Sequence, residues 1–142
     1  MIAKEITYKE LEKAIKIAFD GDSSIYGLYD PNAIVTNLDE ISSDIIKKIK
    51  THERAIIKGV YEKNKLIGFF VRAGGLLVSF SLAMQYRIRK YLNNFWQLIK
   101  DEFRGIFKCY LWSKNQRAIK FLCKHGAIIT NSNNLLTELT CP

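Results

Sequence analysis

The sequence predicts a single α+β domain spanning residues 1–142, built on an antiparallel meander with helices around it. Three observations lead there. First, three apolar or alternating runs, Ala55 to Tyr61, Lys65 to Arg72 and Leu76 to Leu82, are separated only by Glu62-Lys63-Asn64 and Ala73-Gly74-Gly75, which is the spacing of hairpin-linked strands. Second, helical periodicity flanks the meander on both sides. Third, the stretch from Phe107 to Gly126 passes from a short aromatic strand into a helix that stops at a glycine. With 142 residues and 48% hydrophobic content, the chain is expected to be one domain that can bury an ordinary core, with no room for a second domain.

Each element has a local reason. Between Tyr8 and Phe19, Leu11, Ala14, Ile15, Ala18 and Phe19 fall at the three-and-four spacing of an amphipathic helix. Thr7 and Glu10 stand where a capping box would open it. Residues 21–24 and Asp30-Pro31-Asn32 read as loops. Asp39 to Lys50 reads as a second helix with Ile41, Ile45, Ile46 and Ile49 inward. After the meander, Gln85 to Phe103 reads as a long helix with Ile88, Leu92, Phe95, Ile99 and Phe103 along one stripe. Phe107 to Trp112 is short, apolar and aromatic, which suits a strand buried against helices. Asn115 is the N-cap of the next helix, Ala118, Ile119, Leu122 and Cys123 share its inner face, and Gly126 adopts the left-handed conformation that ends it. A final strand is expected near Leu135 to Leu139.

Composition narrows the function classes. The first ten residues are charged and lack the apolar block of a secretory signal, and no apolar run approaches membrane-spanning length. The expectation is a soluble cytoplasmic protein with no membrane partner. Cys109, Cys123 and Cys141 are odd in number and widely spaced, without CxxC or histidine partners at ligand spacing, so buried thiols rather than a metal site are expected. The net charge of +8 is localised. Residues 85–124 hold 10 Lys/Arg against 2 Asp/Glu, a concentration that attracts polyanions, whether nucleotide, nucleic acid or acidic protein. A solvated helix face accounts for it equally well.

The residues Asn115, Arg117, Ala118, Ile119, Phe121, Lys124 and Gly126 resemble the last strand and helix of the GNAT acetyltransferase superfamily. Leu122 stands where that family usually has tyrosine, and Ala127 where it usually has phenylalanine. The resemblance implies a mixed, mostly antiparallel central sheet flanked by helices, with parallel fourth and fifth strands that splay apart to admit acetyl-CoA. It also implies a first strand, for which Ala3 to Thr7 is long enough. Cofactor-binding positions follow from it: strand backbone at Val78, Ser79, Phe80 and Ser81 for the pantetheine amides, Arg87, Arg89 and Lys90 for the pyrophosphate, and Asn115 near the pantetheine arm. The family's two loop glycines are replaced by Lys90 and Leu92. Glycine lets backbone approach a phosphate closely, so long side chains there should crowd the loop unless the helix begins later.

Catalytic positions are less complete. The run from Ala73 to Lys100 contains no Asp or Glu, so the family's base has no occupant on or near the fourth strand, and Leu122 replaces its acid. Glu62 and Tyr110 are the substitutes, with Ser79, Ser81 and His125 behind them. Glu62 also reads as a turn residue, Tyr110 as core, and His125 as a cation favoured at a helix C-terminus. Cys123, with no adjacent histidine or acid, is not read as a nucleophile.

Three functions follow. The first is a GNAT-fold protein with a degenerate acetyl-CoA site, serving without catalysis as a bacteriophage virion, assembly or host-interaction component. Here the chain resembles small phage proteins in length, in its basic helix without glycines, and in Leu111, Trp112, Asn115, Ile119, Phe121, Leu122, Gly126 and Ala127. The alternative is an active N-acetyltransferase using acetyl-CoA on a small-molecule or protein amine. The third is a small basic nucleic-acid-binding domain, for which Tyr91, Phe95 and Trp96 would be stacking platforms and segment 85–124 the contact surface. Any acceptor would meet the loop of Tyr26, Tyr29 and Asp30.

Overall fold

In the computed structural model, which describes residues 1–21 and 37–142, Thr7 and Glu10 cap each other and open the first helix. The Thr7 hydroxyl accepts the Glu10 amide at 3.2 Å while the Glu10 carboxylate accepts the Thr7 amide at 3.2 Å. Among the described residues the order is β1 (Ile2–Glu5), α1 (Tyr8–Phe19), α2 (Leu38–Ile49), β2 (Ile56–Glu62), β3 (Lys65–Ala73) and β4 (Leu76–Leu82). A 3-10 turn at Met84–Tyr86 follows, then α3 (Arg89–Phe103), β5 (Phe107–Trp112), α4 (Gln116–Lys124), β6 (Ile128–Ser132) and β7 (Leu136–Cys141). The expected loops around Tyr26, Tyr29 and Asp30 lie outside the described residues.

The meander forms as its turn chemistry dictates. Lys63 and Asn64 take φ of 49° and 66°, the left-handed pair that a two-residue hairpin between twisted strands requires. Gly74 turns β3 into β4 with φ of 57°. The seven strands form one sheet in the order β1-β2-β3-β4-β5-β7-β6. Every neighbouring pair is antiparallel except β4 and β5, which are parallel and joined through α3. On one face α1 and α2 bury Leu11, Ile15, Ile41, Ile45 and Ile49 against Phe69 and Val71. On the other, α3 and α4 bury Phe95, Trp96, Ile99, Ile119 and Leu122 against Ile67, Phe70, Leu77 and Phe107. The sheet is thus the floor of two separate apolar cores.

One irregularity in β4 matters for everything that follows. Val71 pairs with Ser79 but Arg72 pairs with Leu77, so Val78 is an extra residue with no partner on β3. A bulge of this kind places two successive side chains on one face and bends the strand. Leu77, Phe80 and Leu82 accordingly join the α3/α4 core while Val78 joins the α1/α2 core.

Boundaries differ from the sequence reading at several elements, four of them with a local reason. β1 begins at Ile2 and ends at Glu5, because Thr7 is used as a cap. α2 starts at Leu38, one residue early, because Asn37 accepts the Glu40 amide at 2.9 Å and caps it. α3 starts at Arg89 rather than Gln85: Met84–Tyr86 tightens into a 3-10 turn and Ile88 is extended at φ −111°, ψ 157°. The single final strand is a hairpin of β6 and β7.

Candidate functional site

β4 and β5 pair only at Leu76 with Lys108 and Leu77 with Cys109, reinforced by the Lys108 amide on the Gly75 carbonyl at 2.9 Å. Beyond Leu77 the bulge carries β4 away, and a cleft of about 230 Å³ opens between the two strands. Val78, Ser79 and Phe80 form its β4 wall, Tyr110, Leu111 and Trp112 its β5 wall. On the α1/α2 side it is closed by Ile45, Lys48, Ile49 and His52, one stripe running off the end of α2, and on the other by Asn115 and Ala118 at the start of α4. Past Leu77, β4 has no strand neighbour on its β5 side among the described residues. That edge is where an extended amide-bearing ligand can dock.

The sequence-predicted residues fall into three groups. Val78, Ser79, Phe80, Tyr110 and Asn115 come together in the cleft. Ser81 lies one step beyond, paired with Phe69. Asn115 also caps α4, its Oδ1 accepting the Ala118 amide at 3.3 Å. Arg87 is committed elsewhere: its guanidinium donates from Nε to the Leu82 carbonyl at 2.7 Å and from Nη2 to the Ala18 carbonyl at 2.8 Å. It ties the end of β4 to the C-terminal turn of α1.

Arg89 and Lys90 are exposed in the first turn of α3, and Ile88 provides no side-chain cap for the amides of that turn. The Lys90 ammonium lies 5.6 Å from the Tyr91 ring centre. Leu92, at one of the two glycine positions, is packed against the α3/α4 core, so it faces away from the loop that it was expected to crowd. Because the helix starts at Arg89, Lys90 alone of the two glycine positions has its side chain in the first turn.

Glu62 sits at the far end of β2, 3.5 Å from the Met1 amino group, and does not line the cleft. His125 packs on Phe121 at 4.8 Å and Trp96 at 5.9 Å. Its pKa is lowered by burial first and then by Lys124 and Lys100, against the imidazolium expected at a helix end. Cys109, Cys123 and Cys141 are free thiols. Burial pushes the Cys109 thiol up and that of Cys141 to about 12, which removes both as nucleophiles. Among the described residues no group of three or more His, Cys, Asp or Glu could hold a metal, and no helix is long and apolar enough to cross a membrane.

Tyr110 is not in the core. Phe107 and Cys109 take the inward positions of β5, which leaves Tyr110 exposed on the opposite face. Its hydroxyl donates to Glu138 Oε2 at 2.7 Å, and Thr130 donates to Glu138 Oε1 at 2.7 Å. The Lys108 ammonium lies 3.4 Å from the same oxygen. The Thr130 and Tyr110 hydrogen bonds, with the Lys108 charge, hold the Glu138 carboxyl below its usual value, and the bond to Glu138 raises the Tyr110 phenol. A carboxyl with a depressed folded pKa stabilises above its unfolded value of 4.5 and loses that contribution as the pH falls through the folded value. Glu138→Gln should therefore melt below the wild type at neutral pH, with the gap closing as the pH falls from 4.5 through the lower folded value. Parallel thermal melts across the acid range check this, and a constant gap would disprove it.

His52 and Glu138 were missed by the sequence reading. His52 continues the helical stripe of Ile45, Lys48 and Ile49, a spacing visible in the sequence. Glu138 is the only acidic residue after Glu102, but its partner Tyr110 is 28 residues away.

Solved structures of similar shape include acetyltransferases. An acetyltransferase from Thermus thermophilus superposes with a TM-score of 0.76 at 13% identity, over 100% of this chain and 97% of that one. A PaiA N-acetyltransferase from Thermoplasma acidophilum in complex with coenzyme A gives 0.64 at 15%, over 98% and 96%. A probable acetyltransferase of the GNAT family from Chromobacterium violaceum gives 0.68 at 12%, over 97% and 85%. The sequence matches no family model and no curated protein. At these identities the likeness establishes the fold: the chain has the GNAT acetyltransferase fold, including its parallel, splayed fourth and fifth strands.

Proposed function

We propose that this protein transfers an acetyl group from acetyl-CoA to an amine. The observation that supports it most is the cleft between β4 and β5, opened by the bulge at Val78 and reaching both faces of the sheet. The chain's residues fit the coenzyme. The unpaired edge of β4 over Val78 to Ser81 suits pantetheine amides, Asn115 stands beside that path, and the first turn of α3 with Arg89 and Lys90 suits a pyrophosphate. When bound, the coenzyme supplies the activated acetyl thioester; the protein orients it and manages protons.

Calorimetric titration with acetyl-CoA, paired with thermal melting, is the test, since a ligand of the native state alone must raise the melting temperature. Two sets of variants divide the labour of the basic residues. Arg89→Ala with Lys90→Ala should weaken coenzyme binding about tenfold or more, as expected when charge-assisted phosphate contacts are lost, and leave the melting temperature unchanged. Arg87→Ala should instead cost about 2 kcal/mol of stability, because two buried-side carbonyls lose a charged donor. Reversed outcomes would show that the roles had been exchanged.

A second reading is favoured by Lys90 and Leu92 at the glycine positions and Leu122 at the tyrosine position. In it the fold persists without catalysis, as a bacteriophage virion, assembly or host-interaction component whose segment 85–124 contacts DNA or an acidic protein. Absence of any heat or melting shift up to millimolar acetyl-CoA, together with salt-sensitive retention of DNA, would support that reading.

A further inference from the structure

Resting on the acetyl-transfer reading, we infer that the α1/α2 side of the cleft is an acceptor site for a primary amine, and that His52 takes the proton from the acceptor's ammonium group. Side-chain parity separates the two sides of the slot. Asn115 and Ala118 approach from the α3/α4 side, whereas Tyr110 and Trp112 alternate with the inward Phe107 and Cys109 and so face the same way as α2. The bulge turns Val78 toward α2, and Ser79 pairs with Val71 of that core. His52 and Tyr110 therefore both line the cleft from its α2 side.

Every other polar group there is already engaged or is a poor base. The Lys48 ammonium is ion-paired with Asp44 at 2.8 Å and is itself a cation. Tyr110 donates its proton to Glu138, and the Glu138 oxygens are taken by Thr130, Tyr110 and Lys108. The lowered pKa of Glu138 makes it a weak base. Ser79 is buried and its hydroxyl is a poor base. Glu53 and Arg54 follow His52 but point to solvent as exposed residues. The His52 imidazole is half-buried, lines the cleft and has no hydrogen bond or ion pair among the described residues. An imidazole is the neutral side chain best suited to accepting a proton and returning it.

The step balances. The acceptor ammonium gives one proton to a ring nitrogen of His52 and becomes the free amine. The amine nitrogen uses its lone pair to form the N–C bond to the acetyl carbonyl carbon, and the C–S bond breaks with its electron pair on sulfur. The second amine proton goes to that sulfur, leaving amide and thiol, and His52 releases its proton to solvent through the open cleft.

Two acceptors distinguish this role from a structural one. Ethylamine is protonated at neutral pH and needs the base, whereas hydroxylamine is already unprotonated. His52→Gln should slow acetyl transfer to ethylamine about 100-fold while transfer to hydroxylamine stays within about twofold, the range typical of a lost general base. In the coenzyme-free protein, ethylamine should move the imidazole ring resonance that His52→Gln lacks. Coenzyme affinity and melting temperature of His52→Gln should match wild type, and His52→Asn should repeat the pattern. Equal loss with both acceptors, no loss with either, no transfer to ethylamine by coenzyme-bound protein, or an unmoved ring resonance would each overturn the proposal. Failure to bind acetyl-CoA at all would instead overturn the acetyl-transfer reading, and this inference with it.

Discussion

Trp96→Ala is expected to cost about 4 kcal/mol of stability, at the upper end for truncating a core aromatic. Trp96 is 3% exposed and joins three elements at once: its ring lies 5.7 Å from Phe107 of β5, 5.8 Å from Phe121 of α4 in an edge-on arrangement, and 5.9 Å from His125. No neighbour can collapse into the space without moving a helix, so most of the cavity would persist. The effect reaches the site because α3 carries Arg89 and Lys90 and α4 carries Asn115. Coenzyme affinity should fall along with stability. Trp96→Phe should cost far less than Trp96→Ala, since the indole Nε1 is buried without a partner among the described residues and its removal relieves an unsatisfied donor. Urea melts of the three proteins test the order; equal losses for the two variants would show that packing around the ring had been misjudged.

Gly68→Ala is the second large effect. A Cβ there would lie 2.5 Å from the Ser81 carbonyl oxygen, 3.0 Å from Leu82 Cδ1 and 3.1 Å from the Leu82 Cα. Two of those three atoms are backbone, which cannot step aside as a side-chain tip can. The expected cost is about 3 kcal/mol, which at this chain length lowers the melting temperature by roughly 12 °C. Gly75→Ala is the control, because nothing lies within 4 Å of its added methyl and it should melt within about 2 °C of wild type. Gly68 marks where the end of β4 leans onto β3 after leaving β5. An alanine that was tolerated would mean that the lean, and with it the shape of the cleft, was not set by this contact.

What was legible in the sequence was whatever local chemistry decides. The capping box of Thr7 and Glu10, the Asn115 cap, the hairpin at Lys63-Asn64 and the left-handed Gly126 at φ 97° all follow from residues within four positions of one another. Ile88 misled because it lies at helical spacing from Leu92 and Phe95, yet as an N-cap it is 55% exposed. β6 was invisible for a physical reason. Ile128, Ile129, Thr130, Asn131 and Ser132 are all exposed at the sheet edge, so no alternation of apolar and polar residues records their strand. The sequence reading, by its resemblance to the acetyltransferase pattern, placed Val78, Ser79, Phe80 and Asn115 where the cleft lies, whereas it read Tyr110 as core. It overlooked His52 because a single histidine just past a helix has meaning only when β4 and β5 are seen to part beside it. Arg87 looked like a phosphate ligand from its position; its bonds to Leu82 and Ala18 depend on a contact across 69 residues.

Val78 amounts to a one-residue insertion on which the cleft depends. If that residue were deleted, β3 and β4 would pair in one uninterrupted register, with Leu77 still opposite Arg72 and on the same face as Phe80 and Leu82. The strand would lose its built-in bend at the very place where it now leaves β5. Point substitutions at Val78 change only a side chain, but a shortened chain there would encode a flatter sheet with no slot to fill.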